Sequence, residues 1–247
     1  MQTFYLTDAG KVRTHNEDNV TILNNNNSEF LLAVADGMGG HKAGEVASKI
    51  AIDHLTDEFY KLQTFGEKEK AIEWLRNLVT EINNMIFDYT DKNPNSKGMG
   101  TTLVVAIKTN DYCLFGNIGD SSGYVLKNEK LHKITKDHTL VNLLVSTGEL
   151  TEEEAKYHPR KNVLMRALGA NDPIEIDIFD VVDTTISGIF LCSDGLTNML
   201  TSEQVEKILN SELPIEEAVI KLIRKCNSRG GTDNISIAYL KKESGDL

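Results

Sequence analysis

Two apolar runs in this chain end on an aspartate followed by a glycine, and this ending limits the folds open to it. Residues 30–37 read FLLAVADG and residues 188–195 read GIFLCSDG. A third run, YCLFGNIGD, ends on Asp120, and Asp233 shortly precedes the run ISIAYL. Short apolar runs bounded by turn residues are typical of buried strands. The pattern therefore predicts strands whose ends bring four carboxylates to one rim of a sheet sandwich.

Carboxylates gathered at one rim repel one another unless cations lie between them. Oxygen ligands of this kind suit hard divalent cations. Gly37 and Gly195 lack a Cβ, so the backbone beside Asp36 and Asp194 can approach an ion and offer a carbonyl. Taken singly, each Asp-Gly pair is also an ordinary turn signal. We expect a metal site because the pattern recurs.

Periodicity and turn signals indicate an α+β chain in which paired helices cover antiparallel sheets. Helices are expected at residues 43–62, 67–91, about 201–210 and 214–227. Strands are expected at residues 3–7, 19–23, 30–35, 103–107, 112–118, 123–126, 131–134, 174–182, 188–192 and 235–240. Residues 136–169 are less regular and hold one capping box, Thr151 with Glu154. Long segments of this kind often carry function.

Length and charge narrow the classes of protein to consider. A chain of 247 residues forms one large domain or two small ones, and we expect a single domain, 1–247. The formal net charge of −11 argues against sequence-independent binding to nucleic acid or to an anionic membrane. The longest apolar run near the start has six residues, too few to span a membrane, and no signal peptide is evident.

The chain has three cysteines, Cys113, Cys192 and Cys226. Their number is odd and their neighbours are apolar or helical, so we expect reduced thiols and a cytoplasmic protein. We also expect a monomer.

Other phosphate chemistries fit the sequence less well. No cysteine is followed by the Cys-x5-Arg spacing of a cysteine phosphatase. GDSSG around Ser121 matches the pattern of a serine nucleophile, but GYVLK follows and predicts a strand where that motif needs a helix. In GKVRTHNED, Arg13 offers a guanidinium that matches phosphate oxygens. A surface salt bridge is the alternative role for this arginine.

Eight stretches occur in an order that is specific as a set, and they extend from Thr7 to Ala238. They are TDAGKVRTHNEDN, VADGMGGHKAGEVAS, GTTLVVA, NIGDSSGYV, KDHTLV, HPRKNVLMRALG, LCSDGLTNML and GGTDNISIA. Together they resemble the metal-dependent protein serine/threonine phosphatases of the type 2C (PPM) family, in their compact bacterial form. The resemblance implies a four-layer αββα fold: a central antiparallel β-sandwich flanked by helix pairs, with the metals at one end. It also implies a mobile flap subdomain within about 136–169.

The resemblance assigns the core metal ligands residue by residue. Asp36 would bridge two ions, Mg2+ or Mn2+, and the carbonyl of Gly37 would bind one of them. Asp194 and Asp233 would bind the other ion.

The same resemblance assigns the outer residues of the site. Glu17 and Asp18 would hold metal-bound waters. Asp120 would bind a third, weaker ion together with Asp194. Arg13 would hold the substrate phosphate.

The sequence departs from the family at two places. The family often reads GDSRAY, whereas here Ser122 stands where arginine is usual. Animal members have a histidine two residues after the bridging aspartate, and here that residue is Met38. His41 is then the nearest candidate acid for the leaving group, although a histidine at a helix start without chemistry remains the alternative.

The implied activity is hydrolysis of phosphoserine and phosphothreonine in proteins by a metal-bridging hydroxide. The partners would be phosphorylated proteins and a bacterial serine/threonine kinase that the enzyme opposes, with no nucleic-acid or membrane partner. Two alternatives are a two-metal hydrolase of small phosphates and a catalytically inactive module that binds phosphoproteins. The inactive module predicts a missing ligand, yet Asp36, Asp194 and Asp233 are all present.

Overall fold

The computed structural model describes residues 1–40, 43–182 and 185–243 of the chain. Its strands are β1 (Gln2–Asp8), β2 (Asp18–Asn24), β3 (Phe30–Met38), β4 (Gly100–Thr101), β5 (Leu103–Lys108), β6 (Cys113–Ile118), β7 (Ser122–Lys127), β8 (Lys130–Lys133), β9 (Asp177–Asp180), β10 (Gly188–Cys192) and β11 (Ile235–Lys241). Its α-helices are α1 (Ala43–Lys61), α2 (Lys68–Lys92), α3 (Leu140–Ser146), α4 (Glu152–Tyr157), α5 (Asp194–Thr197), α6 (Ser202–Leu209) and α7 (Ile215–Ser228).

The strands form two sheets in which the paired strands run antiparallel. One sheet has the order β1-β11-β10-β7-β8, and the other has the order β2-β3-β5-β6-β9 with β4 paired to β3. In the second sheet Val34, two residues before Asp36 in β3, pairs with Val104, near the start of β5. In the first sheet Cys192, at the end of β10, pairs with Ile237 near the start of β11. The acidic segments predicted to meet therefore adjoin the ends of neighbouring strands.

Side chains that alternate along the strands build three apolar layers. Leu31 and Leu32 are adjacent in β3, yet Leu31 packs under α1 and α2 while Leu32 packs between the two sheets. This alternation is the two-residue period of a strand buried on both faces. On the other side, Phe190 and Ile237 pack under α6 and α7. The order of layers is helix pair, sheet, sheet, helix pair, which confirms the expected α+β sandwich.

Several element boundaries differ from the sequence expectation. β3 continues through Asp36 to Met38, because Gly37 and Met38 pair with β4 instead of turning away. The strand expected at 174–182 is limited to Asp177–Asp180, the length over which it pairs with β6. The segment 136–169 contains α3 and α4, and the capping box between Thr151 and Glu154 is present.

The described residues bear on two further expectations. All three cysteines are buried free thiols. No helix within the described ranges is long and apolar enough to cross a membrane.

Candidate active site

The predicted acids are held where the two sheets end. Asp18 begins β2 and is the direct antiparallel partner of Asp36 in β3. Asp120 follows β6, and Asp194 follows β10 as the first residue of α5. Asp233 lies two residues before β11. Rigid strand ends therefore fix these carboxylates.

A cleft of about 560 Å³, here called the acidic cleft, brings most of the predicted residues together. Its lining includes Arg13, Glu17, Asp36, Gly37, Asp120, Asp194 and Asp233. Asp18 is buried beside this cleft, 4% exposed. His41 lies outside the described residues.

The backbone of Asp36 is held by two threonines, Thr101 at the end of β4 and Thr102 between β4 and β5. Its N–H donates to Thr102 Oγ1 at 3.0 Å, and its carbonyl accepts from Thr102 N and from Thr101 Oγ1, both at 2.9 Å. The Thr102 hydroxyl also lies 2.7 Å from Ser121 Oγ. Ser121 is fully buried, its hydroxyl is engaged in this hydrogen bond, and β7 follows it. The structure therefore supports no nucleophile at this position.

Gly37 is required for a reason that the sequence did not suggest. A Cβ at this position would lie 2.1 Å from the Gly44 carbonyl oxygen and 2.6 Å from that of Glu17. The Gly37 N–H donates to the same Glu17 carbonyl at 3.1 Å. The missing side chain lets the end of β3 pack directly against the first turn of α1 and against the start of β2.

Asp18 has one satisfied and one unsatisfied carboxylate oxygen. Oδ2 accepts from Ser193 Oγ at 2.7 Å, whereas Oδ1 is buried without a hydrogen-bond partner among the described residues. Burial raises the pKa of Asp18 to about 7, against the opposing effect of the Ser193 hydrogen bond. A buried carboxylate oxygen without a donor is a place where a cation, or a water held by one, fits.

The pKa values of Asp36, Asp194 and Asp120 are also raised, by burial and by repulsion between carboxylates. Burial, reinforced by neighbouring carboxylates, raises the pKa of Asp36 well above its usual range. The carboxylates responsible are those of Asp18, Asp194, Asp120 and Asp233. Burial also raises the pKa of Asp194, and it raises that of Asp120 to about 7, with Asp194 as the next contributor. In the protein alone, ionisation of these groups is therefore opposed.

The basic residues that line the acidic cleft do not offset this charge. They are Arg13 and Arg166, against five acids. Arg13 Nη2 lies 3.0 Å from Asp233 Oδ2, with half of the arginine side chain exposed, while Arg166 pairs with Asp177 at 2.6 Å. Oxygen ligands, an excess of negative charge and an orphaned buried oxygen together fit divalent cations of the Mg2+ and Mn2+ type.

The sequence analysis missed several residues that support the acids. Ser193 connects the sheets, because its hydroxyl donates to Asp18 and accepts from Ser236 N at 2.9 Å. Asn234 Oδ1 accepts from Glu17 N at 2.8 Å, and its amide nitrogen donates to two carbonyls of the β1–β2 loop. Their position next to Asp194 and Asp233 in sequence was the available signal. Their long-range partners were not visible.

His138 is a further residue that the sequence analysis did not single out. Its ring Nδ1 accepts from Gly119 N at 3.1 Å, and its own backbone N–H donates to the Gly119 carbonyl at 2.9 Å. On the other ring nitrogen, Nε2 lies 3.1 Å from Asp177 Oδ2. The imidazole therefore lies between β9 and the turn that carries Asp120.

A separate group of ligand-type side chains lies on the helix pair and not in the acidic cleft. His54 and Glu58 of α1 and Glu81 of α2 have ligand atoms within 4.8 Å of one another. They already have partners, because His54 Nε2 lies 2.9 Å from Glu81 and Glu58 pairs with Lys61. We assign no metal to them.

Comparison with known proteins shows the family of the chain. The sequence profile of protein phosphatase 2C matches residues 9–235. The serine/threonine phosphatase stp of Listeria monocytogenes is 42% identical over 243 residues, 98% of this chain and 96% of the relative. The protein phosphatase PhpP of Streptococcus pneumoniae is 35% identical over 100% of this chain and 99% of its own length.

A solved structure shows the same likeness in three dimensions. The serine/threonine phosphatase Stp1 from Staphylococcus aureus matches with a TM-score of 0.91 and 35% identity, covering 98% of this chain and 95% of that one. These matches span both sheets and all the predicted site positions, and they confirm the family expected from the sequence. The chain belongs to the protein phosphatase 2C family.

Proposed function

We propose that this phosphatase hydrolyses phosphoserine and phosphothreonine side chains of proteins in the acidic cleft. The observation that carries the proposal is the convergence of half-buried carboxylates, beside the buried and unsatisfied Asp18 oxygen, in a cleft that has too few basic residues to neutralise them. Family membership and full-length similarity to bacterial serine/threonine phosphatases support the same reaction.

Two divalent cations, Mn2+ or Mg2+, would be held by Asp36, the Gly37 carbonyl, Asp194 and Asp233. Asp120 and Asp194 would hold a third, weaker ion, while Glu17 and Asp18 would orient coordinated waters. When bound, the cations neutralise phosphate charge and lower the pKa of a coordinated water.

The chain's own residues would orient the phosphate and handle the protons. The oxygen of a water forms a new bond to phosphorus while the bond to the serine or threonine oxygen breaks, so the products are inorganic phosphate and a free hydroxyl. Arg13, exposed at the cleft, would direct its guanidinium to the equatorial phosphate oxygens. His41 is our candidate for protonating the departing oxygen.

The proposal also covers the partners of the enzyme and its location in the cell. A serine/threonine kinase would supply the phosphorylated substrates, and the phosphatase would act on them as a monomer. Three buried free thiols support a reducing, cytoplasmic location.

The test is phosphate release from a phosphothreonine peptide with Mn2+, and with EDTA as the control. We expect release that requires Mn2+ and a rate on the peptide well above that on a nucleoside monophosphate. A faster rate on the nucleotide would favour the small-phosphate hydrolase. Binding of the phosphopeptide without any release would favour the inactive module.

A further inference from the structure

A second depression, here called the flap groove, continues from the acidic cleft along residues 136–169. Its volume is about 1,010 Å³, at the upper end of the roughly 300–1,000 Å³ typical of small-molecule pockets. Both depressions are lined by Asp120, Asn162, Met165, Arg166 and Asp194. A polypeptide whose phosphorylated residue lies in the acidic cleft can therefore place its neighbouring residues in the flap groove.

The flap groove has apolar side chains that the fold leaves exposed. Leu143 on α3 is 47% exposed and Met165 is 46% exposed, and both line the groove together with Val141 and Val145. Large apolar side chains exposed next to one another commonly mark an interaction surface. Met is unbranched and flexible, so it adapts to more than one partner side chain.

The charges in the flap groove differ from those of the molecule as a whole. Five basic residues line it: Lys133, Lys136, Lys156, Lys161 and Arg166. Apart from Asp120 and Asp194, which face the proposed cations, the acids are Asp137, Glu152 and Asp177. Five basic residues thus face five acids, and the groove would have an excess of positive charge once cations neutralise Asp120 and Asp194, on a chain whose formal net charge is −11.

Two of the lysines are available to a partner. Lys133 lies 2.7 Å from Asp137, and Lys156 lies 2.7 Å from Glu153. Lys136 and Lys161, in contrast, make no ion pair within the described part of the chain, and both are exposed. An acidic side chain of a bound peptide would be their natural counter-charge.

We propose that the flap groove binds the segment of a phosphoprotein substrate adjacent to the phosphorylated residue, and that it selects acidic and apolar side chains there. The inference rests on the proposed function, because it places the phosphate in the acidic cleft. Lys161 and Lys136 provide the charge selection, and Leu143 with Met165 provides the apolar contact.

The test compares two phosphothreonine peptides of equal length. One has Asp and Leu on both sides of the phosphothreonine, and the other has Lys and Ser at the same positions. We expect the wild-type enzyme to prefer the first peptide by about 10-fold in kcat/KM, as one or two exposed charge pairs plus one apolar contact would give. Lys161→Glu should reduce this preference at least about threefold, because it replaces an attraction by a repulsion.

Matched variants separate a local contact from a general charge effect. Lys221→Glu on α7 makes the same change in net charge at an exposed position outside the groove, and it should leave the preference unchanged. Leu143→Ser should lower the rate on the Leu-containing peptide only. All variants should hydrolyse p-nitrophenyl phosphate like the wild type, since this substrate has no flanking residues. If Lys161→Glu loses that activity, Lys161→Ala replaces it and should shift the preference in the same direction.

Two results would overturn the inference: equal kcat/KM on both peptides, or equal shifts from Lys161→Glu and Lys221→Glu. Neither result affects the proposed function, because both peptides would still be dephosphorylated. If neither peptide is dephosphorylated while p-nitrophenyl phosphate is, the proposed function and the inference both fail.

Discussion

Burial and neighbouring carboxylates raise the pKa values of Asp36 and Asp194, so their ionised forms are costly to the metal-free protein, and this cost gives the first prediction. Asn has nearly the shape of a protonated Asp but carries no charge. Asp36→Asn, Asp194→Asn and Asp233→Asn should each lower phosphopeptide turnover by about 100-fold or more, because each removes a charged ligand. In EDTA at pH 8 the Asp36→Asn protein should unfold at a higher temperature than the wild type, because burial and repulsion oppose ionisation of Asp36.

Phosphate-release assays at saturating Mn2+ and thermal unfolding in EDTA check the two halves of this prediction. Wild-type turnover in any one of the three variants would remove that residue from the site. Loss of both activity and stability in EDTA would show that the residue serves the fold instead.

His138 allows a second prediction, because its two ring nitrogens have different partners. Nδ1 accepts from the Gly119 N–H, so the ring proton lies on Nε2, which donates to Asp177. Asn at this position keeps an acceptor near Nδ1, and Gln keeps a donor near Nε2. If the bond to Gly119 positions Asp120, His138→Asn should retain several-fold more turnover than His138→Gln.

The measurement for His138 includes a quantity that general destabilisation would not change selectively. The Mn2+ concentration giving half-maximal kcat should rise in His138→Gln and remain near the wild-type value in His138→Asn, and titration of bound Mn2+ by electron paramagnetic resonance should show the same order. Equal losses in both variants would mean that the histidine acts through Asp177 alone or through the fold.

At the scale of secondary-structure elements, the active site depends on close approach of three backbones. The end of β3, the start of β2 and the first turn of α1 meet at Gly37. Gly37→Ala should lower the unfolding free energy by roughly 1–3 kcal/mol or more, the usual cost of overpacking, and should displace Asp36. Gly40→Ala is the matched control, since a Cβ there would meet no atom of the described residues within 4 Å.

Circular-dichroism melting and phosphopeptide turnover test this pair of glycine variants. We expect Gly40→Ala to resemble the wild type in both measurements and Gly37→Ala to lose stability and turnover together. A stable, active Gly37→Ala protein would show that the three backbones can separate without moving the ligand.

Periodicity explains why the elements themselves were predictable from the sequence. Strong local patterns mark these elements: continuous apolar runs in β3 and β10, and helical spacing of apolar residues in α1, α2 and α7. The bounds of these elements in the structure differ from the predicted bounds by only a few residues. The position of Asp36 inside β3 was not predictable, because it depends on pairing with Gly100 and Thr101 more than sixty residues away. The helices α3 and α4 are short, so their periods were too brief to recognise.

The same distinction applies to the site. Asp36, Asp194 and Asp233 stand beside glycine or asparagine at the ends of strong apolar runs, which is a local signal. Ser193 and His138 have their roles through partners that only the fold brings close, and the only sequence signal for Ser193 was its position beside Asp194.

At the scale of the whole molecule, mutually repelling acids lie together at one end of the two sheets. Cations bound there should determine how stability depends on pH. Asp18, in the second sheet, accepts a hydrogen bond from Ser193, which directly follows β10 of the first sheet. Burial is the main cause that raises the pKa values of Asp18 and Asp120 to about 7, whereas an aspartate in an unfolded chain titrates near pH 4. Between about pH 4 and pH 7 these two aspartates therefore bind more protons in the metal-free folded protein than in the unfolded chain, so their contribution to stability falls as pH rises.

We therefore predict that the metal-free enzyme melts several degrees lower at pH 8 than at pH 5, because about 1 kcal/mol corresponds to roughly 2–4 °C for a protein of this size. Saturating Mn2+ should remove or reverse this difference, since a ligand that binds only the folded state stabilises it and cations favour the ionised carboxylates. Asp18→Asn is the control for the remaining acidic surface: in EDTA its melting temperature should vary less with pH than that of the wild type. The measurement is differential scanning calorimetry at both pH values, with EDTA and with Mn2+. Two results would contradict the assignment of charge repulsion to this end of the sandwich. One is a metal-free wild type that becomes more stable from pH 5 to pH 8, and the other is an Asp18→Asn protein with the same pH dependence as the wild type.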